Sequence, residues 1–279
     1  MKFRLRSAIS AILLAATLSA SGGDGVNTPL KVLAIGNSFS RSAYSHLPSI
    51  ASNLDKKLDF MNLYYGGCTL QQHWDNHATT GFYQGIDRSF RTSPNNVSAF
   101  TTSTVSLDAA LEAEAWDIVT LQQGSAKSYT LSNYEPYFGN LVALIHAKAP
   151  TATIWIHQTW SYGESKAASA GHTSDTMYDA ICANYNTMAS NYSIPNQIPV
   201  GYAVQAYRHL YDATSILDSS GWHLSSPSGE YMQGCVWAAE LFHVDPETIT
   251  YRPSAIDTDT AANLRHAAKL AHDASDLSD

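Results

Sequence analysis

The amino-acid sequence predicts an α/β protein built on a parallel β-sheet, with helices packed on both faces of the sheet. Short apolar runs typical of buried strands alternate along the chain with segments whose apolar residues recur at helical spacing. This alternation is typical of parallel strands joined by crossover helices. The chain has 279 residues and no internal repeat. About 250 of them remain once an N-terminal leader is set aside, which is enough for one large domain.

The leader itself is predicted to be a signal peptide covering residues 1–21. Three basic residues among the first six precede an apolar run at 8–16 that is too short to span a bilayer. Position 21 is Ser21 rather than the cysteine of a lipoprotein, so we expect no membrane anchor. The sequence therefore predicts an exported protein, periplasmic or secreted, with a flexible linker at 22–29. An N-terminus without a targeting role is the alternative.

The amino-acid composition indicates which kinds of molecule the protein is expected to bind. The net charge is −8 and the 16 Lys and Arg residues are scattered, so nucleic-acid binding is not expected. The charged content of 14% is low, and 16 Tyr and 6 Trp residues suit a protein that handles sugars, although many of these rings will belong to the core. The oligomeric state is left open by the sequence.

The three cysteines are an odd number for an oxidising compartment. Cys182 and Cys235 both lie in predicted helices and could form a disulfide, or all three, with Cys68, could be buried thiols. Neither the cysteines nor the 11 His residues show metal-ligand spacing. No metal or other cofactor is therefore expected.

The first half of the chain supplies the first two strands. Residues 30–35 form an apolar run that stops at Gly36, which predicts a buried first strand. Helical spacing follows at 42–54, and the second strand is predicted at 58–65. Residues 69–77 are compatible with another helix.

A polar stretch separates this part from the third strand. Residues 80–105 are rich in Ser, Thr and Asn and predict an insertion or long loop rather than another core layer. A helix is predicted at 106–115, where Ser106 is placed to cap it. The third strand follows at 117–121.

The second half continues the alternation. A helix at 141–148 precedes a fourth strand at 151–157, and a long helix is predicted at 174–190. Residues 198–202 are a possible fifth strand. After a loop rich in Asp, Ser and Gly at 211–227 the chain ends in two predicted helices, at 230–242 and 258–274.

Functional groups in parallel sheets gather in the loops beyond the carboxyl ends of the strands. Ser38 lies just after the first strand and Gly36, so a tight turn can expose its hydroxyl at the start of the next helix. Neighbouring backbone N–H groups there would face a developing oxyanion. Taken alone, Ser38 could equally be a helix cap.

A nucleophilic serine needs a histidine base, usually oriented by a carboxylate. His223 lies in the loop at 211–227, more than 180 residues after Ser38. With the first strand near the centre of the sheet, both residues can still reach the same edge. A lone loop histidine is more often structural, so only the pairing of His223 with Ser38 favours catalysis.

Three further loops at this edge carry candidate substrate-binding groups. Gly67, in the glycine pair after the second strand, permits close approach of the backbone to a ligand or forms a plain turn. Gln122 and Gln123 follow the third strand, where their amides can donate to an oxyanion or satisfy loop backbone. Trp160, after the fourth strand, suits substrate contact or loop packing.

These segments together resemble the SGNH (GDSL-like) hydrolase superfamily, and in particular a bacterial branch known mainly as a domain of unknown function. The resemblance extends from about residue 30 to the C-terminus. It is carried by residues 36–40, by the glycine block at 66–70, by the strand and loop at 116–125, and by His223 with the residues that follow it. It implies a three-layer α/β/α sandwich with a five-stranded, parallel, flavodoxin-like sheet.

The resemblance also implies catalytic roles. Ser38 would attack an ester carbonyl, His223 would transfer the proton, and the N–H groups of Ser38 and Gly67 would bind the oxyanion. The usual Asp before the serine is Asn37 here, and the third block has Gln122 or Gln123 in place of its Asn donor.

The acid is the largest departure from the superfamily pattern. It is expected three residues before the histidine, where Ser220 stands, whereas Asp218 lies five residues before it. Asp218 could still orient His223 if the loop bulges. Otherwise Ser38 and His223 would act as a dyad.

The function predicted from these features is an esterase that removes acyl groups, chiefly acetyl, from carbohydrates. Two alternatives stand beside it. One is a lipase-like or thioesterase-like hydrolase, although no long apolar lid is evident. The other is a non-catalytic glycan-binding protein on a degenerate hydrolase fold.

Overall fold

The fold was determined as a computed structural model, which describes residues 28–91, 96–101, 104–212 and 214–276. The predicted signal peptide at 1–21 and most of the predicted linker at 22–29 lie outside the described residues. None of the helices in the described stretches combines the length and the apolar character that crossing a bilayer demands.

The sheet has seven strands in the described part of the chain: β1 Leu30–Ile35, β2 Leu58–Tyr64, β3 Gly85–Arg91, β4 Asn96–Thr101, β5 Ile118–Leu121, β6 Thr153–His157 and β7 Gln197–Ile198. Their order in the sheet is β4-β3-β2-β1-β5-β6-β7. Five of them, β2, β1, β5, β6 and β7, are parallel, which confirms the predicted five-stranded parallel arrangement.

The register of the parallel strands sets where the functional loops begin. Ile35 at the end of β1 pairs with Leu63 on one side and with Leu121 on the other. Leu121 in turn pairs with Ile156 of β6. Four strands therefore end at nearly the same level, and the loops that follow them emerge side by side at one edge.

The polar stretch at 80–105 is the first departure from the sequence prediction. Instead of a loop, it contains β3 and β4, which extend the sheet as an antiparallel hairpin beside β2. Its polar residues obscured the strand pattern, since Asp87 and Ser89 are buried although neither is apolar. Asp87, for example, accepts a hydrogen bond from Asn62 of β2.

The predicted fifth strand at 198–202 is wrong in its extent. Only Gln197–Ile198 pairs with β6, and a helix begins at Val200 directly after Pro199. Short apolar runs fit a strand and a buried helix turn equally well, which is why the sequence did not separate them.

Helices cover both faces of the sheet and form the predicted three-layer α/β/α sandwich. The helices are α1 Ser38–Tyr44, α2 Leu47–Asn53, α3 Leu70–Asp75, α4 Leu107–Glu112, α5 Ser125–Ser128, α6 Tyr137–Lys148, α7 Glu164–Ala168, α8 Ser174–Tyr192, α9 Val200–Leu210, α10 Ser228–Phe242 and α11 Thr258–Asp276. Contacts link α1, α2, α9, α10 and α11 in one layer, and α3, α4, α6 and α8 in the other.

The core lies between the sheet and these layers. The last four residues of β1 are fully buried, which fits a central strand, and α10 is buried along almost its whole length. All three cysteines are free thiols, so Cys182 and Cys235 do not pair. Burial raises the pKa of Cys68 and of Cys235 to about 12, which leaves both thiols protonated and unreactive at neutral pH.

Candidate active site

The fold brings Ser38 and His223 together at the carboxyl edge of the sheet. Ser38 is the first residue of α1, directly beyond β1, and His223 lies in the loop that precedes α10. The Oγ atom of Ser38 is 3.1 Å from Nε2 of His223, within hydrogen-bonding distance. This is the contact that a serine nucleophile makes with its general base.

Asn37 fixes the backbone beside Ser38. Its side-chain oxygen accepts a hydrogen bond from the N–H of Phe39 at 2.8 Å and thereby caps α1. Its side-chain nitrogen donates to the carbonyl of Cys68 at 2.9 Å. One buried amide therefore joins the nucleophile segment to the loop that follows β2.

Gly67 in that loop is placed to bind an oxyanion. Its φ of +67° favours glycine, and a side chain added there would meet no atom within 4 Å, so the loop is open at this point. The neighbouring N–H groups of Gly66 and Cys68 donate to Gln84 and Tyr65.

The N–H groups of Ser38 and Gly67, by contrast, have no hydrogen-bond partner among the residues that the structure describes. Both residues line the same cavity. Two backbone donors are therefore available to a negatively charged oxygen formed at a carbonyl beside Ser38.

The loop that carries His223 folds back on itself, so that Asp218, five residues earlier in the chain, lies beside His223. Leu217 and Leu224 form an isolated antiparallel bridge, and the N–H of Asp218 donates to the carbonyl of His223 at 2.9 Å. Asp218 and His223 thus lie opposite each other across a tight turn. The carboxylate oxygen Oδ2 of Asp218 is 3.8 Å from Nδ1 of His223, close enough for an ion pair but too long for a direct hydrogen bond.

Ser220, which occupies the position where the superfamily has its acid, orients Asp218 instead. Both its N–H and its hydroxyl donate to Oδ1 of Asp218. The side chains of Asp218 and His223 are 38% and 40% exposed, so solvent screens the charge between them.

Gln122 and Gln123 do not have the role predicted for them. Each is only 1% exposed, and neither lines a cavity that also contains Ser38. Gln122 donates to Asn37 and to the carbonyl of Gln123, and Gln123 binds the N–H groups of Leu70 and Gly124. Their amides hold the loops together and do not face the oxyanion position.

Gln122 belongs to a buried ring of hydrogen bonds beneath the nucleophile. Its oxygen is 3.0 Å from Nδ1 of His157, and Nε2 of His157 is 3.3 Å from the amide nitrogen of Gln233. Gln233 also donates to the carbonyl of Phe39, which closes the ring through Asn37.

His157 is neutral in this ring. Complete burial lowers its pKa from 6.5 to about 3. A neutral imidazole that donates from Nδ1 to Gln122 and accepts at Nε2 from Gln233 satisfies both contacts. These contacts fix which end of each side-chain amide, in Gln122, Gln233 and Asn37, is the oxygen and which is the nitrogen.

Trp160, predicted to contact substrate, is fully buried. Its ring stacks on Phe39, with centroids 3.9 Å apart and planes within 1° of parallel. Its indole N–H donates to the carbonyl of Trp222 at 2.8 Å. The prediction of substrate contact is therefore wrong. Trp160 supports the nucleophile segment on one side and the histidine loop on the other.

Ser38 and His223 both line two cavities. One, of about 420 Å³, has mainly apolar and aromatic walls, and the other, of about 390 Å³, has polar walls. The first is lined by Asn37, Ser38, Phe39, Tyr64, Gly66, Gly67, Thr69, Ser125, Ala126, Lys127, Tyr162, Trp222 and His223. The second is lined by Ser38, Arg41, Ser42, Ser45, Tyr64, Asp218, His223, Leu224, Ser226 and Glu230.

Several of these lining residues were missed by sequence reasoning. Trp222, which is 36% exposed, immediately precedes His223 and could have been found from that position alone. Tyr162 and Ser125 lie two residues after Trp160 and Gln123, but sequence does not show which residue of such a segment lines a cavity. Arg41 and Glu230 carried no signal because they lie within helices.

The described residues contain no group of three or more His, Cys, Asp or Glu side chains placed to hold a metal ion.

The sheet order and the position of the serine and histidine at its carboxyl edge define the fold class of the SGNH hydrolases. More specifically, the chain belongs to the family described as a domain of unknown function, DUF4886, which matches residues 31–274. No curated protein sequence is significantly similar to it.

Solved structures of similar fold agree with this assignment. A DUF4886 family protein from Bacteroides uniformis has 26% identity and a TM-score of 0.81, covering 88% of this chain and 95% of that one. A Slackia heliotrinireducens protein classed with the SGNH hydrolases has 23% identity and a TM-score of 0.55, covering 77% and 100%. A family 3 carbohydrate esterase from Clostridium thermocellum has 13% identity and a TM-score of 0.51, covering 77% and 96%.

Proposed function

We propose that the protein is an exported serine esterase that hydrolyses ester groups, chiefly acetyl, on carbohydrates. The observation that carries the proposal is the 3.1 Å contact between Ser38 and His223, beside two backbone donors that have no partner within the described part of the chain. A nucleophile, a base within reach and an oxyanion site are the parts that acyl transfer needs. Export rests on the predicted signal peptide at 1–21.

The geometry supports a two-step reaction. Nε2 of His223 takes the hydroxyl proton as Oγ of Ser38 bonds to the ester carbon, and the carbonyl oxygen turns toward the N–H groups of Ser38 and Gly67. The intermediate collapses, the alcohol leaves with the proton from His223, and an acyl group remains on Ser38. Water then repeats the sequence, releasing the acid and restoring the serine.

Asp218 completes this mechanism as the positioning group of His223. During each step the imidazole becomes positively charged, and a carboxylate 3.8 Å from Nδ1 stabilises that charge. A small rotation of either side chain would bring the two atoms into hydrogen-bonding distance, and catalytic contacts often tighten in this way when substrate binds.

The polar cavity supports a carbohydrate as the alcohol part of the ester. It is lined by the hydroxyl groups of Ser42, Ser45 and Ser226 and by the charged groups of Arg41 and Glu230. Such side chains match the donors and acceptors of a sugar ring, whereas polar walls offer few apolar contacts to a lipid alcohol.

The nucleophile is tested with the substitution Ser38→Ala. Because the hydroxyl is the only group that bonds to substrate, we expect hydrolysis of 4-nitrophenyl acetate and of acetylated xylan fragments to fall at least about 10³-fold. Turnover that survives this substitution would show that another residue is the nucleophile. A wild-type protein that binds glycans but hydrolyses no acylated glycan would instead support the binding-protein alternative.

Asp218→Asn tests the acid. We expect kcat to fall more than tenfold, since the amide does not stabilise the imidazolium. Ser220→Ala is the matched control for the loop, because it removes a hydroxyl that holds Asp218 but leaves the carboxylate. An unchanged kcat in Asp218→Asn would mean that Ser38 and His223 act as a dyad.

A further inference from the structure

The larger cavity beside Ser38 is far bigger than an acetyl group requires. It holds about 420 Å³, within the range of pockets that bind whole small molecules. Beyond its carbonyl carbon an acetyl group carries one methyl, which fills about the space of a single water molecule. The cavity therefore has room for a much larger acyl group.

The position of the oxyanion donors decides which part of the ester faces this cavity. Gly67 lines the aromatic-walled cavity and is absent from the lining of the polar one. With the carbonyl oxygen at Gly67, the acyl and alcohol substituents of the ester must extend in different directions from Ser38. The polar side chains of the second cavity suit the hydroxyl-rich alcohol, which leaves the aromatic-walled cavity for the acyl group.

The walls of this cavity suit a planar ring. Tyr64, Tyr162 and Trp222 all line it, and the rings of Tyr162 and Trp222 meet edge to face with centroids 6.2 Å apart. Aromatic pairs prefer this edge-to-face geometry, and a further ring can be added in the same way. Ser125 and Lys127, also in the lining, offer polar partners for a substituent on that ring.

Trp222 is held in place before any substrate binds. The amine of Lys166 lies 4.3 Å from the centroid of its ring, and Trp160 donates to its carbonyl. The preceding residue, Gly221, accepts a hydrogen bond from the N–H of Gly163 at 2.8 Å. A preorganised wall of this kind reduces the ordering that a bound ring would otherwise require.

We infer that the site also hydrolyses esters of aromatic carboxylic acids, with the acyl ring packed against Trp222 and Tyr162 and the alcohol in the polar cavity. This inference rests on the proposed esterase function. Oγ of Ser38 bonds to the aromatic acyl carbon, the bond to the alcohol oxygen breaks, and His223 returns the proton to that alcohol. Water then releases the aromatic acid.

The experiment compares 4-nitrophenyl benzoate with 4-nitrophenyl acetate, because the two esters share a leaving group and differ only in the acyl part. The ratio of their kcat/KM values is divided by the ratio of their rates of hydrolysis by hydroxide, which removes the difference in intrinsic reactivity. We expect the wild-type protein to give a corrected ratio of about ten or more in favour of the benzoate.

Two variants locate the acyl group. Ala126→Trp adds bulk to the aromatic-walled cavity at an exposed position, and we expect the corrected ratio to fall at least about tenfold. Ser45→Trp adds similar bulk at an exposed position in the polar cavity, and we expect the ratio to stay at its wild-type value. Circular dichroism and thermal melting verify that both variants are folded.

A wild-type ratio of one or less overturns the inference, since the cavity then gives aromatic acyl groups no advantage. A ratio that falls in Ser45→Trp but not in Ala126→Trp also overturns it, because the acyl group would occupy the polar cavity. Absence of hydrolysis of both esters by the wild-type protein is a different result, and it contradicts the proposed esterase function itself.

Discussion

At the scale of single residues, Asn37 explains why this chain departs from the usual Gly-Asp-Ser pattern. Its oxygen accepts from Phe39 and Gln122, and its nitrogen donates to the carbonyl of Cys68. An aspartate can supply the two acceptor contacts but has no hydrogen to donate when ionised. The asparagine is therefore required by the loop that carries Gly67.

Asn37→Asp is predicted to impair catalysis. Asn37 is 1% exposed, so a carboxylate there would face the carbonyl oxygen of Cys68 without solvent. Losing this buried bond and placing two oxygens against each other would cost roughly 2–3 kcal/mol and displace the Gly67 loop. We expect kcat/KM for 4-nitrophenyl acetate to fall at least tenfold, and the unfolding midpoint in urea to fall as well.

The matched control is Asn76→Asp. Asn76 also donates from its side chain to a backbone carbonyl, that of Gln72, but this bond is exposed and lies at the end of α3. The same chemical change there is expected to leave kcat/KM within about twofold of the wild type, because exposed hydrogen bonds contribute little net stability. Equal losses in the two variants would contradict a specific role for Asn37.

At the scale of elements, the start of α5 acts as a support for the oxyanion loop. Gly124 is the N-cap of α5, and a Cβ atom added there would lie 2.9 Å from the carbonyl oxygen of Cys68 and 3.2 Å from that of Gly67. The φ of Gly124 is −59°, which any residue can adopt, so the glycine is required for space rather than for conformation.

Gly124→Ala is therefore predicted to displace the segment 67–68. The two contacts involve backbone atoms, which cannot rotate away as a side chain would, and a shift of this kind moves the Gly67 N–H off the oxyanion. Removing one oxyanion donor costs about 10²–10³ in rate, so we expect kcat to fall at least tenfold. Steady-state kinetics with 4-nitrophenyl acetate measure this.

Gly163→Ala is the control for the same substitution. A Cβ atom at Gly163 would meet its nearest neighbours at 3.7 Å, an ordinary van der Waals contact. Its backbone N–H would still donate to Gly221, so we expect activity close to that of the wild type. Wild-type kcat in Gly124→Ala would show that the loop tolerates the displacement.

The elements also show what sequence can predict in this molecule. The parallel strands were predictable because burial periodicity can be read from the sequence. The juxtaposition of Ser38 and His223 was predictable from the strand order together with the resemblance at residues 36–40 and at His223. The hairpin of β3 and β4 was missed, since its buried face holds Asp87 and Ser89. The outward or inward direction of a loop side chain depends on contacts distant in sequence, so the sequence does not show that Trp160 is buried and Trp222 exposed.

At the scale of the whole molecule, buried histidines link the active-site edge to the core. In His73 of α3, the Nε2 atom is 3.0 Å from the carbonyl oxygen of Gly36, and the Nδ1 atom is 2.9 Å from the hydroxyl oxygen of Tyr83. His157 takes part in the ring beneath Asn37. Burial lowers the pKa of His73 from 6.5 to about 4 and that of His157 to about 3, so both are neutral in the folded protein at pH 7.

These pKa values predict how stability depends on pH. The histidines have a lower pKa folded than unfolded, so unfolding takes up protons below about pH 6.5 and stability is lost as pH falls toward 4. Each histidine contributes a slope of about 1.4 kcal/mol per pH unit in this window. We expect the free energy of unfolding, measured in urea, to be several kcal/mol lower at pH 4.5 than at pH 7.

The histidine contribution can be separated from that of the carboxylates with His73→Gln. The glutamine amide can donate to Gly36 as the imidazole does, but it does not titrate. The slope of the unfolding free energy against pH, between pH 6.5 and 4.5, should therefore fall by the equivalent of about one proton. His146→Gln, at an exposed position of α6, should leave the slope unchanged. An unchanged slope in His73→Gln would mean that His73 is already protonated in the fold, and that its contact with Gly36 survives as a charged hydrogen bond. The buried site would then tolerate a cation, and the link between acid sensitivity and the neutral layer beneath Ser38 would be lost.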